Sequence, residues 1–231
     1  MSSCWPNLMT LTPLIAVPGT WEWPTANADV WYAPTSPFAG YLATQGWATA
    51  AGADARPFVW STRATGYQLW DKILKRTDQM HADWAAAGAN LYAWVVPPLA
   101  PECRIPPAQT TVLTHSHGLQ VALYAAAMGL KIHTLIDICG PVRRDYDERD
   151  LRTARANIGY WWHLHSDRSD WWQVLGSLGD GTPRGITRAN PLADLNQQLP
   201  SAGHSKLLKD PTWMPLLDSA LDWAQQRYNQ P

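Results

Sequence analysis

Residues 110–114 form a short β-branched apolar run that turns through His115-Ser116-His117 into an Ala- and Leu-rich stretch, residues 118–128, closed by Gly129. A second apolar run, residues 132–138, follows at once and is stopped by Gly140-Pro141. Strand, helix and strand in about thirty residues form a βαβ unit, which commits the chain to a parallel sheet with helices on its faces. The same alternation recurs elsewhere. Residues 13–17 read as the first strand, stopped by Pro18-Gly19, and residues 57–60 as a second. A helix is expected near residues 39–50. Another pattern carries Tyr67, Trp70, Ile73, Leu74, Met80 and Trp84 on one face and is weakened by Gly88. Residues 145–156 suit a solvated helix, 158–165 a strand, and 189–199 hold the last strand. Residues 211–228 form a terminal amphipathic helix with proline at its start. The expected fold class is therefore α/β, a doubly wound and mostly parallel sheet of about six strands flanked by helices.

Length and composition narrow the function. A chain of 231 residues suits one domain, 1–231, of the larger α/β type. With 46% hydrophobic and 16% charged residues it can bury a sizeable core. A net charge of −1 and no long basic run argue against a nucleic-acid partner. Three widely spaced cysteines, Cys4, Cys103 and Cys139, match no zinc spacing and no disulfide framework. They point to a reduced, cytoplasmic setting, with one bridge and a spare thiol as the alternative. No apolar run approaches the length of a membrane span. Oligomeric state is open.

The sharpest chemical signal is Thr111-Val112-Leu113-Thr114-His115-Ser116-His117-Gly118-Leu119-Gln120. A serine at a strand-to-helix reversal is lifted above the sheet edge, where a base can reach it. Strand and helix pass close there, so the residues two before and two after must be small. Gly118 meets that demand at the second position and Thr114 stands at the first. The segment resembles the G-x-S-x-G nucleophile elbow of the α/β-hydrolase superfamily, in the T-x-S-x-G form of some lipases. Thr114 departs from the usual glycine. A serine in an ordinary turn is the plainer alternative.

The resemblance implies a serine hydrolase, lipase- or esterase-like, and the segment Cys139 to Ile158 is too short for a large cap domain, so a minimal cap and a shallow, open pocket are expected. It implies Ser116 as nucleophile and the backbone N–H of His117 as one oxyanion donor. The earlier segment Leu14-Ile15-Ala16-Val17-Pro18-Gly19-Thr20-Trp21 resembles the lipase V-P-G-T turn and puts the second donor at Thr20. Superfamily order, Ser then acid then His, puts the base at His204 in Ser201-Ala202-Gly203-His204-Ser205. The acid follows the strand over 158–165: Asp170 is preferred, Asp167 is the alternative, and Asp137 in the preceding strand is a third candidate.

The implied substrate is a carboxylic ester, and no cofactor or metal is called for. If Trp21, Trp23, Trp171 and Trp172 rim the pocket, the ester is apolar or aromatic; equally, they pack the core. Two rival readings stand beside this one. His115-x-His117 and His163-x-His165, with Asp167, could serve a metal-dependent hydrolase. A non-catalytic binding protein could also keep the fold.

Overall fold

The computed structural model describes residues 11–19, 31–33, 35–49, 58–60, 77–96, 110–141, 143, 145–166, 189–199 and 206–228. Within these residues the strands are β1 (Thr12–Val17), β2 (Trp47–Thr49), β3 (Thr111–His115), β4 (Ile132–Ile138), β5 (Ile158–Ser166) and β6 (Leu195–Leu199). The helices are α1 (Pro37–Thr44), α2 (Thr77–Val95), α3 (Gly118–Ala127), α4 (Glu148–Ala156), α5 (Lys206–Lys209) and α6 (Asp218–Tyr228). A 3₁₀ turn, Met214–Leu217, leads into α6.

The six strands form one sheet in the order β2-β1-β3-β4-β5-β6, and every pairing among them is parallel. Strand alternation sorts the side chains onto two faces. Ile15, Val17, Val112, Leu135 and Trp161 pack with Trp84 and Leu91 of α2, Leu119 and Val121 of α3, and Ala154 of α4. Leu14, Ala16, Leu113, Ile136 and Leu164 pack with Phe38 and Leu42 of α1, and with Leu217, Leu221 and Ala224 near the C-terminus. The sheet is thus covered on both faces, and its central strands read as continuous apolar runs because neither side meets water. Most described tryptophans serve this packing: Trp31, Trp47, Trp84 and Trp161 are each at most 2% exposed.

Several expectations need correction. Residues 58–60 are not a strand. Phe58 and Trp60 are buried while Val59 is exposed, so the alternation is real. Among the described residues it joins no ladder of the sheet. Trp60 instead donates its indole N–H to Pro18 O at 2.6 Å. The helix expected over 39–50 ends at Thr44, and Gly46, at φ 80°, turns the chain into β2. Ser36 caps its start by accepting from the Ala39 N–H. Of the face expected over Tyr67–Trp84, residues before Thr77 lie outside those described.

Gly88 does not interrupt its helix. It is the point where α2 crosses α3: a Cβ there would lie 2.7 Å from Tyr124 Cβ and 2.9 Å from the Ala125 backbone nitrogen. Intrinsic propensity favours alanine over glycine in a helix by about 1 kcal/mol. Here the close approach outweighs it. Gly88→Ala is expected to lower the unfolding free energy by about 1–3 kcal/mol, the usual cost of overpacking. Urea denaturation checks this; a more stable variant would mean that the helices can part without loss.

Candidate active site

In an open parallel sheet, ligands bind beyond the carboxyl ends of the strands, where successive strands depart in opposite directions. That point lies between β1 and β3 here. The chain leaves β1 for β2 on one side, and β3 returns on the other. The two segments singled out in the sequence end there together. Val17-Pro18-Gly19 leaves the top of β1, and His115-Ser116-His117 leaves the top of β3.

Ser116 sits at φ 53°, in the left-handed region that L-residues other than glycine seldom enter. Its N–H donates to Ile138 O at 3.0 Å, which continues the β3–β4 ladder by one step. Its carbonyl accepts from the Leu119 N–H at 3.2 Å, which opens α3. One residue therefore ends the strand and starts the helix, and the left-handed turn is what makes that possible. Ser116 and His117 are half-buried, whereas Thr114, His115 and Gly118 are buried.

Gly118 is required by contact. A Cβ would fall 2.3 Å from Val17 O and 2.7 Å from Pro18 O, so the first residue of α3 lies against the end of β1. This approach brings the N-terminus of α3, with its positive end of the helix dipole, beside Pro18-Gly19. His117 precedes that helix with no side-chain cap. Its ring lies 5.2 Å from the Trp84 ring, tilted by 32°.

Of the other residues expected at the site, Thr20, Asp167, Asp170 and His204 lie outside the described residues, as do Trp21, Trp23, Trp171 and Trp172. Asp167 directly follows Ser166, the last residue of β5, and His204 falls between Leu199 of β6 and Lys206 of α5. Asp137 is described. It is fully buried within β4 and faces neighbours on both sides, with Thr114 Oγ1 donating to Oδ1 at 3.0 Å and His163 Nδ1 lying 2.6 Å from Oδ2.

Of the histidine pairs considered for a metal, His115-x-His117 divides between the sheet's faces and His163-x-His165 does not. His115 meets Trp31, at 6.3 Å between ring centroids, while His117 meets Trp84 of the opposite core. His163 and His165 stack with centroids 5.7 Å apart. Among the described residues no group of three or more His, Cys, Asp or Glu side chains is placed to hold a metal ion.

A second polar cluster lies near the elbow, and sequence reasoning missed it. The Arg143 guanidinium lies 4.9 Å from the centre of the Trp84 ring and binds Asp145 through Nε, at 2.8 Å, and Nη2. His81 Nε2 lies 3.1 Å from Asp145 Oδ2, and His81 Nδ1 lies 2.7 Å from the Tyr124 hydroxyl. Burial alone would raise the Asp145 pKa, but the hydrogen bonds from His81 and Arg143 outweigh it and hold the carboxyl well below its ordinary range. Burial and the charges of Asp150 and Asp145 push the Tyr124 hydroxyl up to about 12. No spacing in the chain signals this cluster, because its members come from α2, α3 and the loop after β4.

The left-handed serine gives a stability test that needs no substrate. The left-handed conformation costs an L-residue about 1–2 kcal/mol, and glycine escapes that cost. Ser116→Gly is expected to be more stable than Ser116→Ala by about 1 kcal/mol in equilibrium denaturation. Equal stability, or a more stable alanine variant, would mean that residue 116 is not held left-handed.

No family model matches the chain, and no curated protein matches it. Solved structures similar to it include an esterase from Pyrococcus furiosus, at 12% identity and a TM-score of 0.49, over 96% of this chain and 85% of that one. They also include a truncated carbohydrate esterase from gut microbiota, at 14% identity and a TM-score of 0.46, over 97% of this chain and 88% of that one. A metagenome-derived lipolytic enzyme is similar at 11% identity and a TM-score of 0.40, over 94% and 95% of the two chains. At these identities the likeness is one of chain course alone. The chain's own geometry, a doubly wound parallel sheet with a left-handed serine joining its central strand to a helix, is that of an α/β-hydrolase-like fold.

Proposed function

We propose that the protein is a serine hydrolase that cleaves carboxylic esters through an acyl-enzyme, with Ser116 as nucleophile. The observation that carries this reading is the left-handed Ser116 at the switch point of the sheet, at the N-terminus of α3. A serine hydroxyl is a weak nucleophile until a base takes its proton during attack. In this reading His204 is that base, and Asp170 orients its imidazole and stabilises the cation that forms. The attacked carbonyl oxygen becomes an oxyanion and is met by the backbone N–H groups of His117 and Thr20. The alcohol leaves with the proton carried by His204. Water then attacks the acyl-enzyme by the same route and frees the acid.

The half-exposed setting of Ser116 and His117 supports this reading, since an ester must reach the hydroxyl. So does the contact of Gly118 with the end of β1, because it brings the elbow beside Pro18, two positions before Thr20 in sequence. The ester is taken to be apolar or aromatic, on the tryptophans that follow Thr20 and Asp170 in sequence.

A fluorophosphonate probe is expected to label the wild-type protein and to leave Ser116→Ala unlabelled, with the variant's circular dichroism unchanged. Labelling of folded Ser116→Ala would move the nucleophile elsewhere. A folded wild type that neither labels nor hydrolyses esters would make this fold a binding module.

The acid can be assigned separately. Asp167 and Asp170 are three positions apart, which spans roughly 10 Å of extended chain, so both cannot serve one imidazole nitrogen in that conformation. Asp170→Asn is expected to lower kcat by a factor on the order of 10³ or more, and Asp167→Asn far less. The reverse ranking in steady-state kinetics would make Asp167 the acid and leave the nucleophile in place.

A further inference from the structure

A row of polar side chains crosses the centre of the sheet one pleat beneath the elbow. Thr114 of β3, Asp137 of β4 and His163 of β5 stand opposite one another in register, and all three are fully buried. Asp137 faces both neighbours at once, Thr114 at 3.0 Å and His163 at 2.6 Å. A carboxylate only accepts, so with Asp137 ionised the proton of the second bond sits on His163 Nδ1. Such charge-assisted bonds are short and strong, and a buried carboxylate needs them.

The same carboxylate touches a third neighbour. A Cβ on Gly140 would lie 2.3 Å from Asp137 Oδ1 and 2.7 Å from Oδ2, so the side chain is packed against the backbone just past Cys139. Cys139 is itself at φ 53°, and among the described residues only Ser116 and Cys139 are non-glycine residues at positive φ. Each stands two places after a member of the row: Ser116 after Thr114, and Cys139 after Asp137. Asp137 thus lies against the roots of both left-handed corners. Strained conformations of this kind persist only where the surroundings over-determine them.

This arrangement explains the departure from glycine at position 114. Glycine would leave room beneath the serine but offer no hydroxyl to the buried carboxylate. Threonine supplies the donor and keeps the extended conformation that its branched side chain favours.

We propose that Asp137 is a positioning residue for Ser116: anchored by His163, it fixes Thr114 and the Gly140 corner, and through them the left-handed turn that presents the nucleophile. The proposal rests on Ser116 being that nucleophile. Asp137 acts through its neighbours and takes no part in the proton transfers assigned to His204 and Asp170.

The test compares wild type, Thr114→Val, Thr114→Ser, Asp137→Asn and the pair Thr114→Val with Asp137→Asn. Fluorophosphonate labelling rates, and kcat and KM on a short-chain p-nitrophenyl ester, are measured well below each melting temperature. Thr114→Val keeps the shape of the side chain and leaves the Asp137–His163 contact intact, so it folds even if Asp137→Asn does not. Thr114→Val is expected to lower the labelling rate and kcat by about ten- to a hundred-fold with KM unchanged, as small misplacements of reacting groups do. Thr114→Ser is expected to restore both. Asp137→Asn should show the same loss, and the pair should lose little more than either alone, since the two side chains act as one unit.

Wild-type labelling and kcat in folded Thr114→Val would overturn the proposal. So would a Thr114→Ser variant as impaired as Thr114→Val, because the lost function would then belong to the methyl group. A wild type that does not label would instead overturn the nucleophile assignment, and this proposal with it.

Discussion

Helix α3 begins in contact with the end of β1, and much of the site's geometry follows from that approach. With hydrogen alone on Gly118, the helix N-terminus can lie against the carbonyls of Val17 and Pro18. The chain must then reverse between His115 and Gly118, in two residues, and a right-handed or extended serine could not make that turn. The left-handed Ser116 is therefore a consequence of helix placement, fixed by the ladder bond to Ile138 on one side and the helical bond from Leu119 on the other. The same approach sets the elbow beside Pro18-Gly19.

The polar groups around this corner fall into two sets with different physical settings. Thr114, Asp137 and His163 lie inside the sheet, where a charge is tolerated only because hydrogen-bonding partners surround it. Their bonds run across the strands and tie three of them together at one level. Of His81, Tyr124, Arg143 and Asp145, set on helices and a loop, Arg143 is buried, His81 and Tyr124 are half-buried and Asp145 is exposed. There the Arg143–Asp145 pair is partly screened, and its stacking on Trp84 links it to the ring beside His117. The inner set braces the backbone that carries the serine, and the outer set reaches the residue that follows it through Trp84.

Much of the fold was legible because burial on both faces makes each central strand a continuous apolar run. Residues 132–138 read as a strand and form β4 over the same span. The helix after the serine was equally plain, since alanine and leucine favour it and Gly129, at φ 110°, stops it. The misreadings fall away from the central strands. Phe58 and Trp60 alternate as a strand would, yet among the described residues they join no ladder. Trp47–Thr49 is only three residues long, too short for periodicity to distinguish it from the end of the helix before it. Gly88 looked like a weakness because propensity considers one helix at a time, whereas its role lies between two.

The parallel α/β architecture, the strand–serine–helix junction and the need for a small residue at Gly118 are written in the order of the residues. These features are local: they depend on apolar period, on β-branching and on which residues fit a tight turn. The partners of Asp137 arise only when the chain is assembled. Thr114 and Asp137 are separated by 23 positions along the chain, and Asp137 and His163 by 26, and no spacing rule joins them. They meet because parallel pairing brings one residue from each of three strands to the same level, and because strand alternation turns all three toward the same face. Register of that kind is a property of the assembled sheet, set by how every strand packs at once, and a single strand carries no record of it.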